Sequence, residues 1–303
     1  MTRIRVLSAI LAGLPLASAA EPLQIGSALV LEGRAAVQAS HLSGTDTQTL
    51  GATDLTLTWA GVAFGPMTLG AEATLTGVYN LSSGKDAQNL WAAGVLGFGA
   101  TEVKFGAPRP VAEALSPMGD RLSNAALDLA YGRAMASGAS ILSYDDNGLT
   151  PGLAVQGATP GGIAWGASVH RIEGGGRKVD AVQAAASYTT GATTVFGSAE
   201  HLSGDTAAGD SVELGVLYEG GDWRLGLAAA RAGAVVDGNV ARLHVGYDLT
   251  PALTLNSTYI HTEDGSLSAL DAEYRLPFGG HVRAGAAVSG GDEIYDLGIG
   301  IRF

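Results

Sequence analysis

Along most of the chain, polar and apolar residues alternate with a period of two. Over 29–40, Glu32, Arg34, Gln38 and Ser40 share one side, while Leu29, Leu31, Val37 and Ala39 take the other. Over 54–63, Asp54, Thr56 and Thr58 alternate with Leu55, Leu57 and Trp59; over 68–79, Glu72, Thr74 and Thr76 alternate with Leu69, Ala71, Leu75 and Tyr79. Further on, Arg242, His244 and Asp248 oppose Leu243, Val245 and Tyr247, and Arg283 stands between Val282 and Ala284. Successive side chains of a strand point to opposite faces, so these are strands with one apolar and one polar face. Candidate strands fall near 28–40, 53–63, 67–79, 90–98, 101–107, 139–145, 152–158, 163–171, 179–188, 193–201, 211–218, 223–231, 239–248, 253–261, 268–275, 281–288 and 294–303. The alternation is weakest between 108 and 178.

Alternation alone does not say which face is outside. A β-sandwich turns its apolar face inward, and a transmembrane barrel turns it outward. Three features favour an all-β fold of the second kind, a transmembrane antiparallel β-barrel. Aromatic residues stand near strand ends on the apolar face (Trp59, Tyr79, Tyr188, Tyr218, Trp223, Tyr247, Tyr259, Tyr274 and Tyr295), where the two interfacial girdles need them. Short connections such as Phe64-Gly65-Pro66 and Thr189-Thr190-Gly191 alternate with expected longer polar ones at 42–52, 80–89, 202–210 and 232–238. The apolar face itself is built from Ala, Leu, Val and Gly, which suits lipid better than an interdigitated core. Single-chain bacterial barrels have an even number of strands. One of the candidates between 108 and 178 is therefore something else, and sixteen strands are expected, or eighteen if two have been merged.

Composition sharpens this picture. Glycine accounts for 45 of 303 residues, about twice the usual share, which disfavours long helices because each interior glycine costs a helix about 1 kcal/mol. The first twenty residues read as a secretory signal peptide: Arg3 and Arg5, an apolar stretch from Val6 to Leu16, then Ala17-Ser18-Ala19 before a cleavage site. After it, no run of 18 apolar residues offers a spanning helix. Removing Arg3 and Arg5 leaves 15 basic against 29 acidic residues, a net charge of -14. No nucleic-acid partner is expected of so acidic a chain. There is no cysteine, which removes disulfides, thiolate metal sites and cysteine nucleophiles together.

The last nine residues are the most specific local signal. Tyr295, Leu297, Ile299, Ile301 and Phe303 share one face, and Asp296 and Arg302 lie on the other. A terminal Phe303 closing an alternating strand resembles the assembly signal of outer-membrane barrels. The mature chain, 21–303, resembles the Gram-negative general porins, in particular those of about 300 residues from α-proteobacteria. The stretch 97–107, Gly-Phe-Gly-Ala-Thr-Glu-Val-Lys-Phe-Gly-Ala, followed by Pro108-Arg109-Pro110, resembles the turn and strand that feed the long loop folded into the porin barrel. The following stretch, 108–138, lacks alternation and carries Pro108, Pro110 and Pro117. A connection of that length is uncommon unless it is functional.

The resemblance implies an outer-membrane protein in contact with lipid, a homotrimer, and a water-filled channel for passive diffusion of small hydrophilic solutes and ions. It implies filtering by size and charge at the inward loop. Glu113, Asp120 and Asp128 are the loop candidates, and by alternation Arg34, Lys104, Arg242, Arg283 and Arg302 are the wall candidates. Acids and arginines are nearly balanced in this loop, unlike the acid-rich loops of many porins; the charge of -14 suggests a mild cation preference. No cofactor is expected. The acidic segments Asp145-Asp146-Asn147 and Gly291-Asp292-Glu293 offer at most weak oxygen donors for calcium. The six histidines are dispersed with no metal-binding spacing, and no nucleophile elbow is present. Gly174-Gly175-Gly176-Arg177-Lys178 lacks the rest of a phosphate-binding loop. Two alternatives stay open: a barrel enzyme of lipase or protease type, seeded at His201, His244 or His261, and a secreted β-sandwich adhesin.

Overall fold

The computed structural model describes residues 22–118, 137–144, 150–174, 177–232, 238–277 and 279–303. The expected signal peptide, 1–20, lies outside these residues, as do Asp120, Asp128 and the acidic segment at 145–147. The strands are β1 (Leu23–Ile25), β2 (Leu29–Leu42), β3 (Gln48–Phe64), β4 (Met67–Asn80), β5 (Lys85–Phe98), β6 (Thr101–Ala107), β7 (Gly152–Ala158), β8 (Ile163–Gly174) and β9 (Arg177–Thr190). They continue with β10 (Thr193–Gly204), β11 (Gly209–Gly220), β12 (Trp223–Ala232), β13 (Gly238–Thr250), β14 (Leu253–Thr262), β15 (Gly265–Arg275), β16 (Gly280–Ser289) and β17 (Asp292–Arg302). Among the described residues, two short helices, α1 (Val111–Ala114) and α2 (Gly138–Tyr144), stand between β6 and β7.

Each strand from β2 to β17 pairs antiparallel with its sequence neighbour. The circle closes where β17 pairs with β2, from Ile294 opposite Leu42 to Arg302 opposite Arg34. The result is a sixteen-stranded closed barrel, so no backbone edge is left to lipid. The extra strand β1 pairs with β2 from Leu23 opposite Leu31 to Ile25 opposite Leu29. It takes up the edge of β2 where β17 ends, beyond the reciprocal hydrogen bonds between Gly33 and Phe303 (2.7 and 3.0 Å). Gly33 has φ +130°, and a Cβ there would fall 2.0 Å from the Asp54 carbonyl oxygen, so only glycine fits this junction.

The two faces are inverted relative to a soluble protein. Leu214, Leu270, Leu297 and Ile299 point outward and are 59–65% exposed, whereas inward Gln183, Arg242, His244 and Asp271 are at most 3% exposed. Tyr188, Tyr218, Trp223, Tyr247 and Tyr274 gather at the end of the barrel with the short turns; Tyr79, Tyr259 and Tyr295 lie toward the other end. This is the two-girdle arrangement of a membrane-spanning barrel.

Two expectations are corrected. The segment 139–145 is not a strand: its described residues, 139–144, fall in α2, and its removal resolves the odd count of candidates. Three of the connections expected to be long are short, at 43–47, 81–84 and 205–208; in the fourth, 232–238, residues 233–237 lie outside the described residues. Strands such as β3 and β5 continue several residues past the point where the alternation fades. A 14-residue strand rises about 48 Å along its axis, and once tilted it still exceeds the apolar band of about 25 Å. Outside lipid neither face has to be apolar, so the pattern lapses before the strand does.

Candidate functional site

The connection from β6 to β7 turns into the barrel. Pro108 and Pro110 cannot donate to a ladder, so the strand ends at Ala107. The first N–H groups of α1 are met by the inner wall: Val111 N donates to Ser168 Oγ (3.3 Å) and Ala112 N to Gln183 Oε1 (3.3 Å). Gly166 makes room for this contact, since a Cβ there would lie 3.1 Å from Val111 and 3.3 Å from Leu115. Further along, Met118 is fully buried over Gly226, and Arg242 Nη2 donates to its carbonyl oxygen.

The returning end is held more firmly. Glu200, on the inner face of β10, accepts hydrogen bonds from Gly138 N (2.7 Å), Ala139 N (3.1 Å) and Ser137 Oγ (3.2 Å). Gln183 Nε2 donates to both Ser137 Oγ and Glu200. A carboxylate at the start of a helix satisfies N–H groups that have no partner within it. Ala139 and Leu142 then pack on inward Ile172, Val179, Ala181 and Leu202. Tyr144 Oη reaches across to Thr76 Oγ1 on β4 at 3.1 Å. The described parts of the connection are therefore seated against β4, β5, β8–β10, β12 and β13, with Arg109 reaching Asp54 on β3.

The wall from β14 through β17 to β2 and β3 carries charge of both signs. Arg34, Arg283 and Arg302 come together here with Gln38, Glu273, His281 and Asp296. Arg283 donates to both Asp271 oxygens (3.0 and 3.2 Å), and Arg302 lies 3.8 Å from Glu273. A cavity of about 380 Å³ is lined by Glu32, Arg34, Asp54, Arg109, Arg302 and Phe303, among others. A second, of about 420 Å³, lies beside Glu273, Arg275, His281 and Arg302.

The remaining candidates play other parts. Lys104 is paired with Glu72 at 2.6 Å and lies 3.9 Å from Glu102. Arg242 is 1% exposed and occupied by Met118. Glu113 is buried and acts as a strut: Arg109 Nε donates to one oxygen (2.7 Å), Ser140 Oγ to the other, and Arg109 reaches on to Asp54 at 3.5 Å. Phe303 is buried at the closure of the barrel. The candidate set omitted Glu200 and Gln183, which hold the connection, and the acids Asp271, Glu273 and Asp296. The spacing Asp271, Glu273, Arg275 puts three charges on one strand face and was a readable signal; nothing local marks Glu200.

No family model matches the chain, and no curated relative is found by sequence. Solved structures do resemble it. A chain from work on asymmetric conductivity of engineered proteins matches at 15% identity with a TM-score of 0.68, covering 91% of this chain and 100% of that one. Two engineered variants of the Rhodopseudomonas blastica porin match over the same shares, one at 16% identity with a TM-score of 0.65 and one at 15% with 0.63. With its sixteen-stranded closure and its inverted faces, the chain has the fold of a porin-type β-barrel.

Proposed function

We propose that the chain is a channel of the Gram-negative outer membrane, through which small hydrophilic solutes and ions diffuse down their gradients. The carrying observation is the division of the interior: helices α1 and α2 of the β6–β7 connection pack on one side, and a charged wall lines the other, from β14 to β3. A sixteen-stranded barrel is wide enough to hold water rather than a packed core. The connection narrows that space and sets the size cutoff. Charges of both signs on the facing wall orient dipolar solutes and discriminate between ions. Arg34, Arg283 and Arg302 line this passage, while Lys104 and Arg242 brace its surroundings. The acidic balance of the chain favours cations mildly.

The chain assembles as a homotrimer, each barrel carrying its own passage. The partly exposed small and aliphatic outward residues of β2–β4 (Val37, Leu57, Ala71, Ala73) supply a flat face for a second copy. The test is single-channel conductance of the detergent-extracted protein in planar bilayers, with sugars of graded size in the bath. Large ATP-independent steps, blocked progressively by sugars below a cutoff, are expected. A water-soluble product without conductance would overturn the reading. Reversal potentials in a salt gradient test the cation preference, and cross-linking in detergent tests the trimer.

A further inference from the structure

The cavity of about 380 Å³ at the closure of the barrel holds charges of both signs in a fixed order. Arg302, the last residue of β17, stands directly opposite Arg34 on β2, and Arg34 stands directly opposite Asp54 on β3. Glu32 precedes Arg34 by two positions on the same face of β2, about 7 Å away along the strand. The cavity therefore passes from a pair of guanidinium groups at β17 and β2 to a pair of carboxylates at β2 and β3. Arg109 bounds it from the β6–β7 connection. That side chain is held in place, its Nε donating to Glu113 at 2.7 Å and its Nη2 lying 3.5 Å from Asp54.

Two arginines facing each other on one rung of a sheet repel, and like charges so placed are destabilising. Asp54, opposite Arg34, and Glu273, 3.8 Å from Arg302, flank the pair and hold it against that repulsion. A carboxylate entering between the two guanidinium groups relieves it further, because each presents a planar fork of donors. The Arg302 side chain is 46% exposed and Glu32 is exposed, so both ends of the arrangement are open to a solute. A simple anion lying there is repelled by Glu32, and a simple cation by the arginines. A molecule with both charges a few bonds apart satisfies both ends. The volume falls within the range of small-ligand pockets, about 300–1,000 Å³.

We propose that this cavity is a saturable site for small zwitterions, the class of the free amino acids, with the carboxylate on Arg34 and Arg302 and the ammonium on Glu32. The proposal rests on the channel reading above and gives the passage a preferred class of solute. A weak site on the route raises the flux of a dilute solute and makes it level off at high concentration, provided that release stays fast. Losing one charged hydrogen bond lowers the affinity about tenfold.

Four compounds on one three-carbon skeleton test it: serine carries both charges, glycerate only the carboxylate, serinol only the ammonium, and glycerol neither. Saturation-transfer NMR titrations of the full barrel in detergent should place serine about tenfold or more tighter than glycerate or serinol, with no saturation by glycerol. Glu32→Gln should erase the advantage of serine over glycerate, and Arg302→Gln should cut its advantage over serinol about tenfold. Arg34→Gln repeats the second result if Arg302→Gln, on the closing strand, fails to fold. A merely structural role for these residues does not exchange one preference for another in this way. In liposomes, serine uptake should saturate while glycerol uptake stays linear. Equal affinity for the four compounds, serine no tighter than glycerate, or a ranking unmoved in Glu32→Gln and Arg34→Gln overturns the proposal. A barrel that ranks the compounds as expected yet passes neither serine nor ions overturns the channel reading and leaves the binding site standing.

Discussion

Replacing Glu200 by alanine removes the acceptor for two helix N–H groups, one hydroxyl and one amide at the returning end of the β6–β7 connection. The lost helix cap costs about 1 kcal/mol, and the buried donors left without partners add roughly 1–3 kcal/mol. The total, about 2–4 kcal/mol, shifts the balance between seated and unseated α2 by about 30- to 900-fold. The barrel strands themselves keep their ladder, so the effect is local. Limited proteolysis of the folded protein in detergent should show new cleavage near 137–144 with the barrel intact. Single-channel records should show rapid flicker absent from the parent. Glu200→Gln retains one acceptor oxygen but turns an amide toward the helix N–H groups, so it should be intermediate. Protease resistance and current noise unchanged in Glu200→Ala would refute the assignment of this carboxylate as the anchor.

Three further outcomes follow from the same geometry. Leu270→Arg, at an outward position, should cost up to about 2–4 kcal/mol if it falls near the bilayer midplane, read as a reduced heat-resistant, folded fraction in outer-membrane preparations. Arg34→Ala combined with Arg302→Ala removes two neighbouring positive charges worth roughly 1 kcal/mol each to a passing ion; the reversal potential should move toward cations by about fivefold in permeability ratio or more. Phe303→Ala should slow assembly, measured as accumulation of unfolded chain in the periplasm, while the folded product conducts normally.

The membrane architecture was legible because lipid on one side and water on the other impose a strict alternation. The charged rows at 34–38, 242–248 and 281–283 and the terminal run 295–303 revealed it without any partner in view. The signal failed where that constraint is absent. In 139–145, Ala, Ile and Ser alternate well enough to suggest a strand, yet 139–144 are helical, because Glu200, more than fifty residues away, meets the first N–H groups of α2. The three-residue β1 was too short to show a period. Alternation placed Arg34, Lys104, Arg242, Arg283 and Arg302 on the inner face, but said nothing of their neighbours. Whether an inward arginine borders the passage or is spent on Met118 depends on pairing across the barrel, which no local pattern encodes.

The seam at Gly33 has a bearing on biogenesis. Because Phe303 bonds to β2 at Gly33, the cylinder has no closed intermediate: until β17 arrives, β2 offers lipid a bare ladder from Arg34 to Leu42. Zippering must therefore wait for the whole polypeptide, and a truncated copy cannot settle into a narrower ring. Pro22 and Phe303 line one cavity at this join, so a short linker between them could leave the circular wall undisturbed, with new ends opened at the Gly290-Gly291 turn.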